Sequence, residues 1–226
     1  MGKKSNFFKL LDFDADIAKI HKEVCLIGID EVGRGALAGP VIACAFAWKE
    51  NILNIPKRYN KLFSKLNDSK QLTSEERNIL FKDLVIYGDF SLGYASVLEI
   101  EKHNILQATY LAMRRAFDGF VLQKQEPSKK LSPYLLVDGN KLNPFINCRQ
   151  VSIIQGDTKS SLIASASIIA KVYRDMLMHR ISKDEKYEHF GWQRNVGYGT
   201  ASHCRAIKKH GLTPLHRKLF VRKIFV

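Results

Sequence analysis

Two adjacent acids, Asp30 and Glu31, end an apolar run from Val24 to Ile29, and two more acids stand in comparable places downstream. Asp138 follows Tyr134-Leu135-Leu136-Val137, and Asp157 comes shortly after Val151–Ile154. A carboxylate at the end of a buried strand is costly unless a cation or a hydrogen-bond donor compensates it. Each acid has an ordinary reading alone. One of Asp30 and Glu31 pairs with Arg34 while the other faces water, Asp138 forms a turn before Gly139-Asn140, and Asp157 starts a helix. Together they make a pattern: three strands each deliver carboxylate at or just past a C-terminal end, where the sites of α/β sheets gather. Oxygen-only ligands suit Mg²⁺ or Mn²⁺, whereas zinc recruits His or Cys. Four carboxylates can hold two such ions about 4 Å apart, an arrangement that activates water and stabilises the leaving oxygen of a phosphodiester.

Gly33-Arg34-Gly35-Ala36-Leu37-Ala38 matches the dinucleotide fingerprint G-x-G-x-x-A, which needs a helix straight after its glycines. Gly39-Pro40 and a second β-branched run follow instead, and two anions beside a pyrophosphate would repel it. The segment is read as a flexible loop that comes close to a nucleic-acid strand, with Arg34 near a phosphate. Asp175 lies five helical turns beyond Asp157, about 27 Å along a continuous helix. It is therefore assigned to a structural charge cluster with Lys171 and Arg174. None of the seven histidines makes a ligand set; His216, beside Arg217, reads as a capping or surface residue.

The elements that position these acids follow from periodicity and punctuation. Val24–Ile29 is a buried strand and Pro40 opens a second, VIACAFAW. Residues 51–73 read as a polar, basic loop containing Asp68-Ser69-Lys70. Thr73 and Glu76 form a capping box for a helix to about Tyr87, which Gly88 stops. A third strand is expected over 90–97. A helix capped by Asn104 follows, with a narrow small-residue face of Ile105, Ala108, Thr109, Ala112 and Ala116. Residues 124–133 read as a charged link, and 134–137 and 151–154 as the fourth and fifth strands. A long helix from Lys159 to about Ser182 has an Ala/Ser-rich first half suited to close packing on a sheet. Two short helices, about 200–210 and 214–219, end the chain. The order gives an α/β fold, a mixed sheet with helices on its faces.

The bulk composition bounds the partner. A chain of 226 residues with 46 % hydrophobic residues supports one core. Its formal charge of +14 favours a polyanion. No acid follows Glu188, while Arg194, Arg205, Lys208, Lys209, Arg217, Lys218, Arg222 and Lys223 do. Phe190, Trp192, Tyr198, Phe220 and Phe225 lie among them; each taken singly reads as core, although rings beside basic groups can stack on bases or sugars. The four cysteines form no Cys-x-x-Cys pair, and Cys25 and Cys44 read as buried small hydrophobes. No apolar run reaches the roughly 18 residues that span a bilayer. The N-terminus carries acids early, unlike a secretory signal, and Asn6 stands where myristoylation wants Ser or Thr. A reduced, cytoplasmic setting is expected, with no membrane partner.

The ordered set of motifs resembles the ribonuclease HII family, the type 2 ribonucleases H. The likeness runs through Gly28–Gly35 (GIDEVGRG), Leu37–Val41, Asp68-Ser69-Lys70, Asn104–Thr109, Val137-Asp138-Gly139-Asn140 and Gly156-Asp157. It continues in Ile163–Asp175 (IASASIIAKVYRD), Gly197-Tyr198-Gly199-Thr200 and His216-Arg217. The resemblance implies an RNase H-like fold: a five-stranded mixed sheet flanked by helices, with a helical C-terminal region. It implies a metal site of Asp30, Glu31, Asp138 and Asp157 holding two Mn²⁺ or Mg²⁺ ions. It further implies that Gly33, Arg34 and Gly35 read a ribonucleotide 2′-hydroxyl and adjacent phosphate, and that Tyr198 stacks on the next sugar. The implied substrates are RNA–DNA hybrids and ribonucleotides embedded in duplex DNA, cut 5′ to the ribonucleotide to leave 3′-hydroxyl and 5′-phosphate ends. Three positions depart from the family pattern: Gln155, Val196 and Gln71 stand where Lys is common. The expected layout is an N-terminal extension (1–23), a catalytic core (24–183) and a basic helical region packed on it (184–226). A monomer is expected, with the tail Phe220–Val226 a candidate anchor for a replication clamp. A non-catalytic nucleic-acid binder and a DNA-cutting relative of the same fold are the alternatives.

Overall fold

A computed structural model of the protein describes residues 6–21, 24–66, 69, 72–124 and 132–225. Asp68, Lys70, Gln71, most of the 124–133 link and the last residue of the proposed clamp anchor lie outside the described residues. The chain order is helix α1 (Asn6–Ile20), strands β1 (Cys25–Val32) and β2 (Val41–Trp48), helices α2 (Tyr59–Leu62) and α3 (Ser74–Tyr87), strand β3 (Gly88–Ala95) and helix α4 (Val97–Gln123). Strands β4 (Pro133–Asp138) and β5 (Arg149–Ile153) and helix α5 (Ser161–Ile181) follow. The chain closes with α6 (Trp192–Asn195), α7 (Ala201–His210) and α8 (Lys218–Val221).

The sheet order is β3-β2-β1-β4-β5. β1 pairs antiparallel with β2 and parallel with β4; β4 and β5 are parallel. Thus β1, β4 and β5 all point their C-terminal ends to the same edge of the sheet. Alternation along β1 sends Leu26 into the core shared with α1, α3 and α5, and Ile27 and Ile29 into the core under α4. This is the expected five-stranded mixed sheet with helices on both faces.

Close helix–sheet approach is written in small residues. A Cβ on Gly28 would lie 2.3 Å from the Leu162 carbonyl carbon, so α5 rests on the backbone of β1. A Cβ on Gly93 would lie 2.1 Å from the Ala112 carbonyl oxygen, so the small face of α4 rests on β3 in the same way. The Thr73–Glu76 capping box forms as expected. Gly88 ends α3 in an extended conformation and serves as the first residue of β3.

Two expectations are corrected. Residues 51–73 contain a 3₁₀ turn (Ile52–Asn54) and α2, because Tyr59, Phe63 and Leu66 have core-facing helical spacing and are buried beside Trp48. Asn104 does cap a helix, accepting from the N–H groups of Leu106 and Gln107, but it sits at a kink inside α4. The first segment of α4 begins at its own capping box, Ser96 and Glu99. The N-terminal stretch forms α1, which sets Phe7, Leu10 and Leu11 in the main core. Its Asp14 is fully buried and takes the Ser161 N–H at 2.8 Å and hydroxyl at 2.6 Å, capping α5 from 147 residues away. Among the described residues no helix is long and apolar enough to cross a membrane.

Candidate active site

The acids singled out by type and spacing converge at one edge of the sheet. Asp30 lies within β1, which runs on to Val32, so the two adjacent carboxylates do not share a turn beyond the strand. Alternation puts Asp30 on the α5 face and Glu31 on the opposite face, at the strand end. Asp138 is the last residue of β4 and shares the face of Leu136, also toward α5. The parallel register pairs Ile29 with Val137, which sets Asp30 beside Asp138. Asp157 lies in the 3₁₀ turn Gly156–Thr158 between β5 and α5 and is buried. The Gly156 N–H donates to Asp138 Oδ1 at 2.7 Å, tying that turn to the end of β4.

The electrostatics report the same convergence. Burial, then the charges of Glu31 and Asp138, push the Asp30 carboxyl well above the usual carboxylate range. The Ser167 hydroxyl and the Glu31 N–H, at 2.7 Å, pull the other way. Glu31 is raised by burial against the lowering effect of Arg34, 3.2 Å away, with Asp138 raising it further. Arg34 is half-exposed and serves Glu31 alone of the four acids as an ion-pair partner among the described residues. Among those residues, no three His, Cys, Asp or Glu side chains are gathered so as to hold an ion as they stand. The donor chemistry nonetheless fits a hard divalent cation: the set is all oxygen, and Asp30 and Glu31 both need compensating positive charge to ionise.

The Gly33–Pro40 segment is a turn and an irregular loop, with no helix after the glycines, which removes the dinucleotide reading. Gly33 has φ +92° and would drive a Cβ to 2.3 Å from Arg174 Nε, while a Cβ on Gly35 would meet nothing. Two buried arginines hold this loop from behind. Arg174 donates to the carbonyls of Ala38 at 3.0 Å, Pro40 at 3.2 Å and Val196 at 2.9 Å. Arg217 donates to the carbonyls of Gly39, at 2.9 and 2.8 Å, and Arg34, at 2.9 Å. Burial, with the charge of Arg174 behind it, lowers Arg217 to about 9. The expected cluster at Asp175 is therefore split: Lys171 pairs with Asp175 at 2.8 Å, while Arg174 turns inward. His216 is also buried, so the surface role expected of it is replaced by a place in the C-terminal core.

Tyr198 is half-buried, its ring 5.2 Å from the Arg174 guanidinium and 5.6 Å from Lys171 Nζ. Val196 beside it has φ +42°, a conformation that β-branched residues avoid, and its carbonyl is one of those bound by Arg174. Phe190 and Trp192 are core, while Phe225 is exposed. Sequence reasoning overlooked Ser167, which reaches Asp30 and is itself 2.9 Å from Ser69 Oγ. The signal was present: serines at the centre of an apolar helix face need a polar partner.

Comparison with known proteins shows the family and the fold. The model of the family described as Ribonuclease HII matches residues 27–226. A Ribonuclease HII of Anaplasma phagocytophilum is 43 % identical over 195 residues, which cover 86 % of this chain and 85 % of that one. The ribonuclease HII in the PCNA complex from Archaeoglobus fulgidus has TM-score 0.65 and 22 % identity, covering 86 % of this chain and 94 % of its own. Bst-RNase HIII in complex with Mn²⁺ has TM-score 0.68 and 16 % identity, covering 92 % of this chain and 71 % of its own. At those identities the two solved structures speak for the fold.

Proposed function

The chain belongs to the ribonuclease HII family, a divalent-metal-dependent group of endoribonucleases acting on RNA–DNA substrates, and from that premise we propose that it cuts the RNA strand of hybrids and also cuts duplex DNA 5′ to an embedded ribonucleotide. The observation that carries this reading is the arrival of Asp30, Asp138 and Asp157 at one sheet edge, with Glu31 beside them.

Asp30, Glu31, Asp138 and Asp157 would hold two Mg²⁺ or Mn²⁺ ions. When bound, such ions lower the pKa of water and stabilise the leaving oxygen of a phosphodiester. The chain's own residues supply the rest. The Gly156 N–H fixes a lone pair of Asp138 and the Glu31 N–H one of Asp30, so the carboxylates are aimed before substrate arrives. Gly35, open above the loop, leaves room for a sugar edge to approach the backbone and for the 2′-hydroxyl to be read there. Arg34, free to leave Glu31, meets the adjacent phosphate. Tyr198 stacks on the following sugar. A water oxygen bonds to phosphorus as the P–O3′ bond breaks, the proton that the water gives up balances the one taken by the leaving 3′-oxygen, and the phosphate stays on the 5′ end of the ribonucleotide.

In this reading residues 24–183 form the catalytic core, 184–226 form a basic region that grips the duplex, and 1–23 are an extension whose helix packs on the core. The protein acts as a monomer, and Phe220–Val226 binds a sliding clamp; recovery of clamp unchanged by deleting those residues would end that last point. The main test compares an all-DNA duplex with one bearing a single ribonucleotide, with and without Mg²⁺ or Mn²⁺. Cleavage is expected only at the ribonucleotide and only with metal. Asp138→Asn should remove nearly all turnover and leave duplex binding and fold intact; turnover at the parental rate would refute the site.

A further inference from the structure

The C-terminal region encloses two buried histidines that the chemistry above leaves unused. His203 and His216 are 0 % and 1 % exposed, and their Nε2 atoms are 3.2 Å apart. Their other partners fix both tautomers. The Thr213 N–H can only donate, and it lies 3.0 Å from His216 Nδ1. His216 therefore accepts there and carries its proton on Nε2. The Trp192 indole N–H can also only donate, and it lies 3.0 Å from His203 Nε2. His203 therefore accepts there and carries its proton on Nδ1, which is 2.9 Å from the Tyr198 carbonyl. The donors all run one way, from Thr213 through His216 and His203, and end on the backbone of Tyr198.

This chain of bonds is complete only while both rings are neutral. A second proton on His203 would face two N–H donors. Burial lowers both histidines, His216 to about 4. The rings of Phe190 and Trp192 pack against the pair, and Thr213 Oγ1 lies 2.9 Å from His216 Nδ1. The buried cation Arg217 follows His216 in the chain, and Arg174 and Lys171 lie against the ring of Tyr198. The same carbonyl also accepts the Thr200 N–H at 2.8 Å, and the Thr200 side chain in turn caps the N–H of His203 at 3.2 Å. His203 thus braces the Tyr198–Thr200 turn from two directions.

We infer that the His203–His216 pair is a positioning device: it fixes the backbone of Tyr198, and so the aim of the tyrosine ring toward the duplex, and sets affinity for the duplex more than the rate of the chemical step. The inference rests on the reading of Tyr198 as a residue that stacks on substrate.

The test uses the full chain and three variants. His203→Leu keeps bulk and removes every polar atom. His203→Gln retains polarity toward Trp192 and His216 but does not reach the Tyr198 carbonyl. His203→Asn places its amide nitrogen where Nδ1 stood and restores that donor. Losing one such bond is expected to raise KM, and the Kd of a labelled hybrid measured without divalent metal, on the order of fivefold. kcat should stay within about twofold of the parent on the same ground. The Leu and Gln variants should behave alike and the Asn variant close to the parent; a Leu variant that fails to fold leaves Gln and Asn as the deciding pair. In a Tyr198→Ala background the same changes should leave Kd unaltered. A drop in kcat with KM unchanged, or equal Kd effects in both backgrounds, overturns the inference. If Tyr198→Ala itself binds hybrid like the parent, the stacking reading fails, and amide exchange at residues 198–200 decides the anchor separately. Faster exchange in the Gln variant than in the Asn variant keeps the anchor, and equal exchange ends it.

Discussion

Replacing Arg174 with methionine keeps the length of the side chain and removes every donor. The guanidinium is fully buried, no acid among the described residues forms an ion pair with it, and its hydrogen-bond partners are the carbonyls of Ala38, Pro40 and Val196. A hydrogen bond from a charged donor contributes roughly 1.5–3 kcal/mol net, so three give roughly 4–9 kcal/mol. Against this stands the cost of burying an unpaired cation, several kcal/mol, which the methionine escapes. The balance is a loss of about 3 kcal/mol, a large share of the 5–15 kcal/mol that holds a typical domain. For a chain of this size that lowers Tm by roughly 6–12 °C. Urea unfolding followed by circular dichroism reads the loss directly. Ala38 and Pro40 flank the glycine turn and Val196 flanks Tyr198, so KM for hybrid should rise together with the loss of stability. Arg174→Lys, with one nitrogen for three carbonyls, should fall between. A methionine variant that loses less than about 1 kcal/mol would mean that the loop holds its own shape and that the arginine merely fills space.

Other changes probe the joints around the site. Burial raises Asp14 to about 7, so the folded chain keeps a proton there that the unfolded chain gives up near 3.8. Stability from this group is present below about pH 4 and is lost as pH rises to about 7; between pH 5.5 and 8 the parent should lose about 2 kcal/mol more than Asp14→Asn, and parallel unfolding curves for the two would refute it. Gly28→Ala places a methyl against the Leu162 backbone, which α5 can relieve only by retreating; a loss of about 2–3 kcal/mol is expected. kcat should fall at least about tenfold as the Asp157 turn moves away from Asp30, and a normal kcat would show that α5 does not set that distance. Gln155 sits at φ +55°; Gln155→Gly should add about 0.5–1 kcal/mol and raise Tm by a few degrees, and an unchanged Tm would deny strain there.

The elements nearest the chemistry were the most legible from the residues alone. An apolar β-branched run closed by acids is a local pattern, and so is the Thr73–Glu76 box, so β1, β4, β5 and α3 were all placed within a few residues. The small faces of α4 and α5 announced close packing, and Gly28 and Gly93 meet them. What stayed hidden depends on partners distant in sequence. Nothing local to Arg174 or Arg217 says that a charged side chain will turn inward, because most of the carbonyls that draw it in belong to a loop well over a hundred residues away. Asp14 looked like one acid among several on an amphipathic stretch until the N-terminus of α5 supplied its donors. The start of α4 is hidden for a different reason: Ser96-Val97-Leu98-Glu99 carries the same capping signature as Thr73–Glu76, but the apolar rhythm is stronger after Asn104, where the helix kinks.

The arginine brace on the glycine turn has a consequence for how the protein matures. The turn belongs to the part of the chain made first, yet the Arg217 donors that hold Gly39 and Arg34 arrive 178 and 183 residues later. A nascent polypeptide emerging vectorially from the ribosome can pair β1 with β2 early, but it cannot lock the surface between them until synthesis is almost over. The loop between β1 and β2 therefore receives its last brace only as synthesis ends.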